Sequence, residues 1–306
     1  MRRNLKQMIM MIAVVAVLVI AGAAYYVLSN RSGAGQPTVV ASFYPYQFFT
    51  ARIAGDRHTV GAAIPPGVEP HDWEPTPNGA ATMASARAFV YNGYVEGFLA
   101  NFFRDLPPDR PVRVNASAGI DVIRGGDGGP GAVDPHLWLD PVRVEASALN
   151  IAAGLTLADP AGNATFTTNA AKLRQDLATL DAEFAAGLTT CGLRVIVTQH
   201  EAFAYLAARY NLTQYAIQGL SPDQEPSPAK IQEILQIVNR THTKYIFYEE
   251  LVNPAVARAL ADEAHVQTMV LSPIEGLSPQ EQQRGDDYFT LMRLNLANLR
   301  AALECT

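Results

Sequence analysis

Short apolar runs alternate with longer amphipathic stretches along this chain from Thr38 onward. The short runs hold four to six residues each and are typical of strands that are buried in a sheet. Eight runs fit this description: Thr38–Phe43, Thr59–Ile64, Ala88–Asn92, Val112–Ala116, Arg194–Thr198, Thr213–Gln218, Tyr245–Tyr248 and Thr268–Leu271. Strands that alternate with helices in this way predict parallel βαβ units.

The amphipathic stretches predict helices between and after these strands. Their ranges are Gln47–Ala54, Pro77–Ala86, Val95–Leu106, Phe166–Leu188, Ala202–Tyr210, Pro228–Asn239, Pro254–Ala264 and Asp287–Leu303. Phe166–Leu188 is the longest, at about six turns, and its apolar residues recur at three-to-four spacing. The expected fold is α/β, with two four-stranded parallel-sheet lobes joined by this long helix. We expect an N-terminal lobe over residues 38–164, a connecting helix over 165–190 and a C-terminal lobe over 191–306.

The chain begins with an apolar run from Met8 to Leu28 that carries no charge. Roughly 20 such residues are enough to span a bilayer. The alternative is a cleaved signal peptide, with the small residues 21–24 as its cleavage site. The run continues past these residues, which favours an uncleaved anchor over residues 1–28, followed by a polar, Gly-containing linker over 29–37. Both interpretations place the rest of the chain outside the cytoplasm.

Composition narrows the choice of partners. The chain has 306 residues, of which 49% are hydrophobic, so it can bury one large core or two ordinary ones. Its 23 Lys and Arg against 29 Asp and Glu give a net charge of −6. Several of the positive charges precede residue 10, so the remainder is more acidic still. This balance argues against nucleic acid as a partner.

Two cysteines, Cys191 and Cys305, are present. They are too far apart for CxxC chemistry, and in an exported protein they can form a disulfide. A bridge would tie the C-terminus to the second lobe; two separate thiols are the alternative. The Gly-rich segment 124–131 lacks the Lys-Ser/Thr ending of a P-loop, so we interpret it as a mobile surface loop.

Three histidines lie in contexts that hold the backbone rigidly. His71 and His136 each follow an acidic residue and a proline, in Glu69-Pro70-His71 and Asp134-Pro135-His136, and His200 ends a predicted strand. Ligands bind at the carboxyl ends of strands in α/β proteins, and histidine nitrogen is a preferred zinc ligand. The hypothesis is a three-histidine metal site assembled from distant loops. His58, His242 and His265 lie in polar or helical contexts, and for these we expect ordinary surface or core histidines.

At this point the motifs resemble a known family, the metal-binding solute receptors of zinc and manganese ABC importers, the zinc-uptake and TroA-like group. The resemblance covers nearly everything from Thr38 to Leu303. It is carried by Ser42-Phe43-Tyr44-Pro45, Pro70-His71-Asp72-Trp73-Glu74-Pro75-Thr76-Pro77, Asn92-Gly93, Asp134-Pro135-His136, Trp138-Leu139-Asp140-Pro141, His200-Glu201-Ala202-Phe203, the run Ser221–Pro228, and Pro273-Ile274-Glu275-Gly276-Leu277.

The resemblance implies a monomeric extracytoplasmic receptor that binds Zn2+ with high affinity in a cleft between two lobes. The receptor would deliver the ion to an ABC permease subunit. Carried over by position, His71 and His136 are ligands from the first lobe and His200 is the ligand from the second. Family members selective for manganese usually have a carboxylate at the last position, so His200 points to zinc.

The fourth ligand is expected to be Glu275. Many relatives place an aspartate where this chain has Ser272, whereas the laminin-binding streptococcal zinc lipoproteins use a glutamate in a Pro-Leu-Glu motif, which Pro273-Ile274-Glu275 matches. Water is the alternative fourth ligand. The Gly-rich segment occupies the place of a His-rich loop in some zinc receptors but has no histidine, so a scavenging role for it is not expected.

Two other function classes remain open. One is a membrane-anchored zinc hydrolase; against it, Ala204 stands where a zincin motif beginning at His200-Glu201 requires its second histidine. The other is an adhesin with a structural zinc ion.

Several further residues have both a functional and a structural interpretation. Asp72, Glu74 and Asp140 are candidates to accept hydrogen bonds from ligand rings, or else to cap helices. Trp73 and Trp138 adjoin proposed ligands but also suit core packing. Glu249 and Glu250 end a second-lobe strand and are candidates to line the cleft, although solvated loop carboxylates are the default expectation.

Overall fold

Two four-stranded parallel sheets form the framework of the protein, as a computed structural model shows for residues 37–126, 129 and 131–306. The strands are β1 (Val39–Ala41), β2 (Val60–Ala62), β3 (Ala88–Tyr91), β4 (Val112–Asn115), β5 (Val195–Thr198), β6 (Thr213–Ala216), β7 (Tyr245–Tyr248) and β8 (Gln267–Val270). Each corresponds to one of the eight predicted strands, and the two-sheet α/β fold class is confirmed.

The two sheets have equivalent strand orders. The first is β2-β1-β3-β4 and the second is β6-β5-β7-β8, with parallel pairing throughout. In each sheet the order reverses beside its first strand, between β1 and β3 and between β5 and β7. Open α/β sheets bind ligands in the crevice that opens outside the carboxyl ends of the strands at such a point.

Ten α-helices of the described residues surround the sheets. They are α1 (Tyr44–Ala54), α2 (Pro77–Ser85), α3 (Leu99–Arg104), α4 (Pro141–Ala158), α5 (Asn163–Gly187), α6 (Ala204–Arg209), α7 (Pro228–Thr241), α8 (Ala255–Ala264), α9 (Pro279–Arg284) and α10 (Tyr288–Ala302). Eight of them overlap the predicted helices, and Thr38–Thr306 forms one compact unit.

Two helices, α4 and α9, were not predicted. The 18-residue α4 has a clear start signal, because Asp140 accepts a hydrogen bond from the Val142 amide and Pro141 occupies the first helical position. Its sequence is apolar on most sides, so a helical period is hard to recognise. The helix packs on β4. After it the chain makes the 3-10 turn Pro160–Gly162, and α5 then packs along α4.

The long helix α5 connects the two lobes as predicted. Its apolar stripe is almost completely buried, and it contacts α1 of the first lobe and α10 of the second. The buried residues of the stripe are Phe166, Ala170, Leu173, Leu177, Leu180 and Phe184. One hydrophobic cluster runs through this stripe into both lobes, so the helix is part of a shared core. The lobe boundaries given above stay predictions.

Cys191 and Cys305 form a disulfide, which confirms the predicted bridge between the C-terminus and the second lobe. In the Gly-rich segment, Arg124 and Val133 form an isolated antiparallel bridge. The predicted anchor or signal segment lies outside the described residues. Within the described part of the chain, none of the helices has the length and apolarity that a bilayer-spanning segment needs.

Candidate metal centre

Four predicted residues converge where the two lobes meet. His71 follows β2, His136 follows β4, His200 follows β5 and Glu275 follows β8, so each comes from a loop at the carboxyl end of a strand. One donor atom from each lies within 4.8 Å of the others. Of the described residues, these form the one group of three or more His, Cys, Asp or Glu side chains with metal-binding geometry.

Four of the six distances between the donor atoms are close to those of a tetrahedral zinc site. Glu275 Oε1 lies 3.2 Å from His71 Nε2, 3.2 Å from His136 Nε2 and 3.6 Å from His200 Nε2. The Nε2 atoms of His136 and His200 are 3.2 Å apart. Zinc bonds of about 2.0–2.2 Å in tetrahedral geometry place neighbouring donors about 3.3–3.6 Å apart. The four side chains are therefore close enough together to hold one metal ion.

Buried carboxylates orient two of the histidines. Asp134 Oδ1 lies 2.8 Å from His136 Nδ1, and Glu249 Oε1 lies 2.7 Å from His200 Nδ1. Each carboxylate accepts a hydrogen bond from Nδ1–H, so Nε2 faces the site and is the nitrogen that binds metal once it has lost its proton. The expectation that Glu249 is a solvated loop carboxylate is wrong: it is 2% exposed, because it directly follows β7 and lies beside the His200 loop.

Glu275 is held by a constrained turn. Asn295 of α10 accepts a hydrogen bond from the Ser272 amide and donates one to the Ser272 carbonyl. The Ser272 hydroxyl accepts from the amide of Ile274, whose φ of 57° is unusual for a β-branched residue. Trp138 Nε1 donates to the Pro273 carbonyl at 2.7 Å. Ser272 thus shapes the turn, and Glu275 supplies the side chain that reaches the histidines.

The loop that carries His136 is also fixed from behind. Asn92, directly after β3, donates to the Tyr46 hydroxyl at 2.7 Å and to the Pro135 carbonyl at 3.0 Å. The buried Glu96 accepts hydrogen bonds from the amides of Asn92 and Gly93. Sequence reasoning recognised the Asn92-Gly93 motif but did not identify this positioning role. An Asn-Gly pair at the end of a buried strand was the available signal.

His71 differs from the other two histidines. Its backbone amide donates to both oxygens of the Glu69 carboxylate, at 3.0 and 3.1 Å. Glu69 Oε1 also lies 3.9 Å from His71 Nε2, on the side of the ring that faces Glu275. Burial, together with the nearby Glu275 carboxylate, raises the pKa of Glu69 to about 8.

The clustered groups shift one another's pKa values. Burial by itself would lower the pKa of His200, but the Glu249 and Glu275 carboxylates outweigh burial and hold it well above its usual range. Burial is likewise outweighed at His136, where Asp134 and Glu275 raise the pKa. At Glu275 burial would raise the pKa, but hydrogen bonds from the three histidines hold it well below its usual range. The site therefore favours opposite charges on its members.

The other candidate carboxylates and the two tryptophans lie outside the four-residue cluster, although Trp138 adjoins it. Asp72 and Glu74 are exposed, and Asp140 caps α4 and pairs with Arg143, so the helix-capping interpretation is the right one for Asp140. Trp73 packs edge-on against Phe98 in the first lobe. Trp138 has both expected roles, since it packs 5.1 Å from the His136 ring and bonds to the Glu275 turn.

The remaining histidines are separate from the cluster. His242 and His265 are exposed and end helices with positive φ, while His58 pairs with Asp159 at 3.3 Å and stacks on Phe166. The Glu201 carboxylate lies against Gly126, where an added methyl group would overlap it.

Comparisons with known proteins find close relatives. Residues 39–302 match the family described as ZnuA, zinc-uptake complex component A, periplasmic. The chain is 38% identical over 277 residues to the high-affinity zinc uptake system protein ZnuA of Bacillus subtilis, covering 87% of both chains. It is 36% identical to the zinc-binding lipoprotein AdcA of Streptococcus pneumoniae, covering 89% of this chain but 57% of that protein.

The fold of this chain is similar to that of a relative whose structure has been solved. The Zn(II)-bound ZnuA-like domain of Streptococcus pneumoniae AdcA superimposes with a TM-score of 0.77 at 36% identity. The alignment covers 88% of this chain and all of that domain.

Proposed function

Because the chain belongs to the ZnuA family of periplasmic zinc-uptake components, we propose that it is an extracytoplasmic zinc receptor that delivers its ion to an ABC importer. Zinc is the transported ion of such a receptor, which binds it outside the cytoplasm and releases it to the membrane permease. The observation that carries the proposal is the clustering of four donor atoms, from His71, His136, His200 and Glu275, within 4.8 Å of one another.

The donor set favours zinc over manganese. Three imidazole nitrogens and one carboxylate oxygen are ligands that zinc accepts readily, whereas manganese prefers more oxygen. Asp134 and Glu249 keep the Nδ1 proton of His136 and His200 in place, so Nε2 is the nitrogen that gives up its proton to bind zinc, and they orient both rings without supplying a ligand themselves.

The same geometry argues against the hydrolase alternative. A catalytic zinc ion keeps an open coordination position for water. Here four protein donors surround one point, and His136, His200 and Glu275 are at most 2% exposed. A site of this kind suits tight binding and transfer of an ion better than chemistry on a substrate.

Zinc titration of ligand variants by calorimetry tests the proposed ligands. His200→Ala removes the histidine ligand of the second lobe. Glu275→Gln removes the charge of the carboxylate ligand. Both variants are expected to fold and to bind zinc much more weakly than the parent protein. His242→Asn is the matched control, because His242 is exposed, lies outside the site, and occupies a left-handed position that asparagine tolerates.

Unchanged zinc affinity in His200→Ala would remove the proposed site. Unchanged affinity in Glu275→Gln alone would assign the fourth position to water and reopen the hydrolase alternative. Transport is tested separately, by zinc uptake in cells that lack their own receptor. Restored uptake supports the receptor role, whereas zinc binding without uptake favours an adhesin with a structural ion.

The chain is expected to act as a monomer, anchored at the outer face of the membrane by its apolar N-terminal run. Fractionation of cells that express the full chain tests the anchor: recovery in the membrane fraction at the full mass supports it, and a shortened soluble product favours cleavage.

A further inference from the structure

We propose that Glu69 is a transient zinc ligand that, together with His71, receives the ion at the mouth of the site and exchanges it with Glu275. Glu69 acts in this way only if the chain binds zinc as proposed above. The inference adds a pathway for the ion to the four-residue site and assigns a role to a residue outside it.

The members of the site differ in their access to solvent. The side chains of His136 and His200 are fully buried and that of Glu275 is 1% exposed. His71 is the outermost member at 9%, and the neighbouring Glu69 is more open at 19%. An ion that comes from solvent therefore meets Glu69 and His71 before it meets the other three donors.

The two acidic-Pro-His segments place their carboxylates on opposite sides of the histidine ring. Asp134 reaches Nδ1 of His136, the nitrogen that faces away from the site. Glu69 has one more methylene group and lies 3.9 Å from Nε2 of His71, the nitrogen that faces Glu275. Glu69 is thus placed to share an ion with His71, whereas Asp134 is placed to orient its ring.

The 3.9 Å separation suits one bridging ion. Zinc–nitrogen and zinc–oxygen bonds of about 2.0–2.2 Å add up to about 4.2 Å, so a single ion can contact both atoms without movement of either side chain. The same Nε2 lies 3.2 Å from Glu275 Oε1. An ion held by His71 can therefore exchange the Glu69 oxygen for the Glu275 oxygen while its bond to His71 persists.

The Glu69 carboxylate is held in this position by the backbone. The His71 amide donates to both of its oxygens, so the carboxylate cannot turn away from the ring without breaking both contacts. Glu69 belongs to the same short loop as His71, and the pair keeps its spacing during any displacement of the second lobe.

The kinetic consequence is specific. A stepping-stone ligand lowers the barrier between solvent and site in both directions, because the ion traverses the same steps when it binds and when it leaves. Loss of Glu69 should slow association and dissociation by the same factor and leave the equilibrium affinity unchanged. A permanent ligand behaves differently, since its loss accelerates dissociation and weakens affinity.

Stopped-flow measurement on the full folded unit separates these cases. Association of Zn2+ is followed by competition with a fluorescent chelator, and dissociation by capture with excess chelator. Glu69→Gln keeps an acceptor for the His71 amide but removes the ionisable carboxyl group, and we expect both rates to fall by about tenfold with the affinity unchanged. Glu69→Asp keeps a carboxyl group but withdraws it from Nε2, and should slow both rates similarly.

Asp72→Asn is the matched control, because Asp72 adjoins His71 and is exposed at the same rim, where its carboxylate faces Asp223. It should slow association slightly, and salt should abolish that effect. Equal, salt-sensitive losses in Glu69→Gln and Asp72→Asn would overturn the proposal in favour of general electrostatic attraction. Faster dissociation in Glu69→Gln would make Glu69 a permanent ligand, and unchanged rates would leave it a structural residue.

Failure of the parent protein to bind zinc would defeat the proposed function. Normal zinc binding with unchanged rates in both Glu69 variants would defeat this inference alone.

Discussion

Each of the two fully buried histidines has a carboxylate partner at Nδ1, which His71 lacks. Asp134 accepts a hydrogen bond from Nδ1 of His136, and Glu249 accepts one from Nδ1 of His200. These carboxylates are themselves buried, so their hydrogen bonds compete little with water. They select the tautomer and the ring orientation before any ion arrives, which reduces the reorganisation that zinc binding requires.

Removal of the Glu249 carboxylate should therefore weaken zinc binding although Glu249 is not a ligand. We expect Glu249→Ala to reduce zinc affinity by about 10–100-fold, because His200 would lose the partner that fixes its tautomer. Glu263→Ala is the control, since Glu263 is exposed on α8 and lies outside the four-residue site. Calorimetric titration of both variants decides it, and equal affinities would exclude an orienting role.

The pKa shifts predict opposite pH trends for the metal-free and the zinc-bound protein. Glu275 has a lowered pKa, so its contribution to stability is full above about 4.5 and is lost as the pH falls through the lowered value. His200 has a raised pKa, so its contribution is full below about 6.5 and is lost as the pH rises through the raised value. The metal-free site is thus most stabilising at mildly acid pH.

Zinc reverses this trend, because the ion requires deprotonated imidazoles. Between pH 6 and pH 8 the melting temperature of the metal-free parent protein should fall relative to that of metal-free Glu275→Gln. Over the same range, the rise in melting temperature that zinc produces in the parent protein should become larger. Thermal melts with chelator and with zinc across this range measure both quantities. A zinc increment that is constant with pH would contradict proton release from the histidines.

At the scale of elements, α4 shows how closely a helix and a strand can approach. Gly154 lies in the interior of α4, where glycine usually costs stability relative to alanine. There is nevertheless no room for a side chain at this position, because an added methyl group would overlap the side chain of Val114 on β4. The helix therefore packs on the sheet through a residue with no side chain.

Gly154→Ala should destabilise the protein by about 1–3 kcal/mol, since overpacking against a stiff β-branched side chain outweighs the gain in helix propensity. Chemical denaturation measures the change. The double variant Gly154→Ala/Val114→Ala is the internal control, and it should be more stable than the sum of the two single changes predicts. A stabilising effect of Gly154→Ala would show that α4 lies farther from β4.

At the scale of the whole molecule, the disulfide and the metal site occupy opposite ends of the second lobe. Cys191 precedes β5 and Cys305 follows α10, whereas His200 and Glu275 lie beyond the carboxyl ends of β5 and β8. The bond closes a loop with a sequence separation of 114 residues and encloses the second lobe. It should affect the stability of the fold and leave the site intact.

Cys191→Ser/Cys305→Ser should lower the free energy of unfolding by about 2–4 kcal/mol, because the unfolded chain regains the freedom of that long loop. Zinc affinity should be unchanged in the folded variant. Denaturation and zinc titration of parent and variant test the two statements together. Two reactive thiols per chain in the oxidised, denatured parent protein would show that the bridge does not form, and altered zinc affinity would couple the bridge to the site.

Local sequence patterns are enough to predict most of the helices and strands and the chemistry of the histidine ligands. All eight strands and the apolar stripe of α5 follow from local periodicity, because a strand or an amphipathic helix reports its buried face within a few residues. The three histidines could be selected from the six because their acidic-Pro or strand-end contexts are local as well. Glu275 came from the resemblance to a family, since nothing in its local pattern points to a metal.

The side chains that surround these ligands could be identified from the folded structure but not from the sequence. Glu249 orients His200 across 49 residues, while the nearer candidates Asp72 and Glu74 are exposed. The partner of a buried imidazole depends on which strands are neighbours in the sheet and on where each strand ends, and no local pattern encodes that order. The closed position of Gly154 and the placement of Glu69 beside Nε2 have the same origin, since each is a distance between elements that the chain brings together only when it folds.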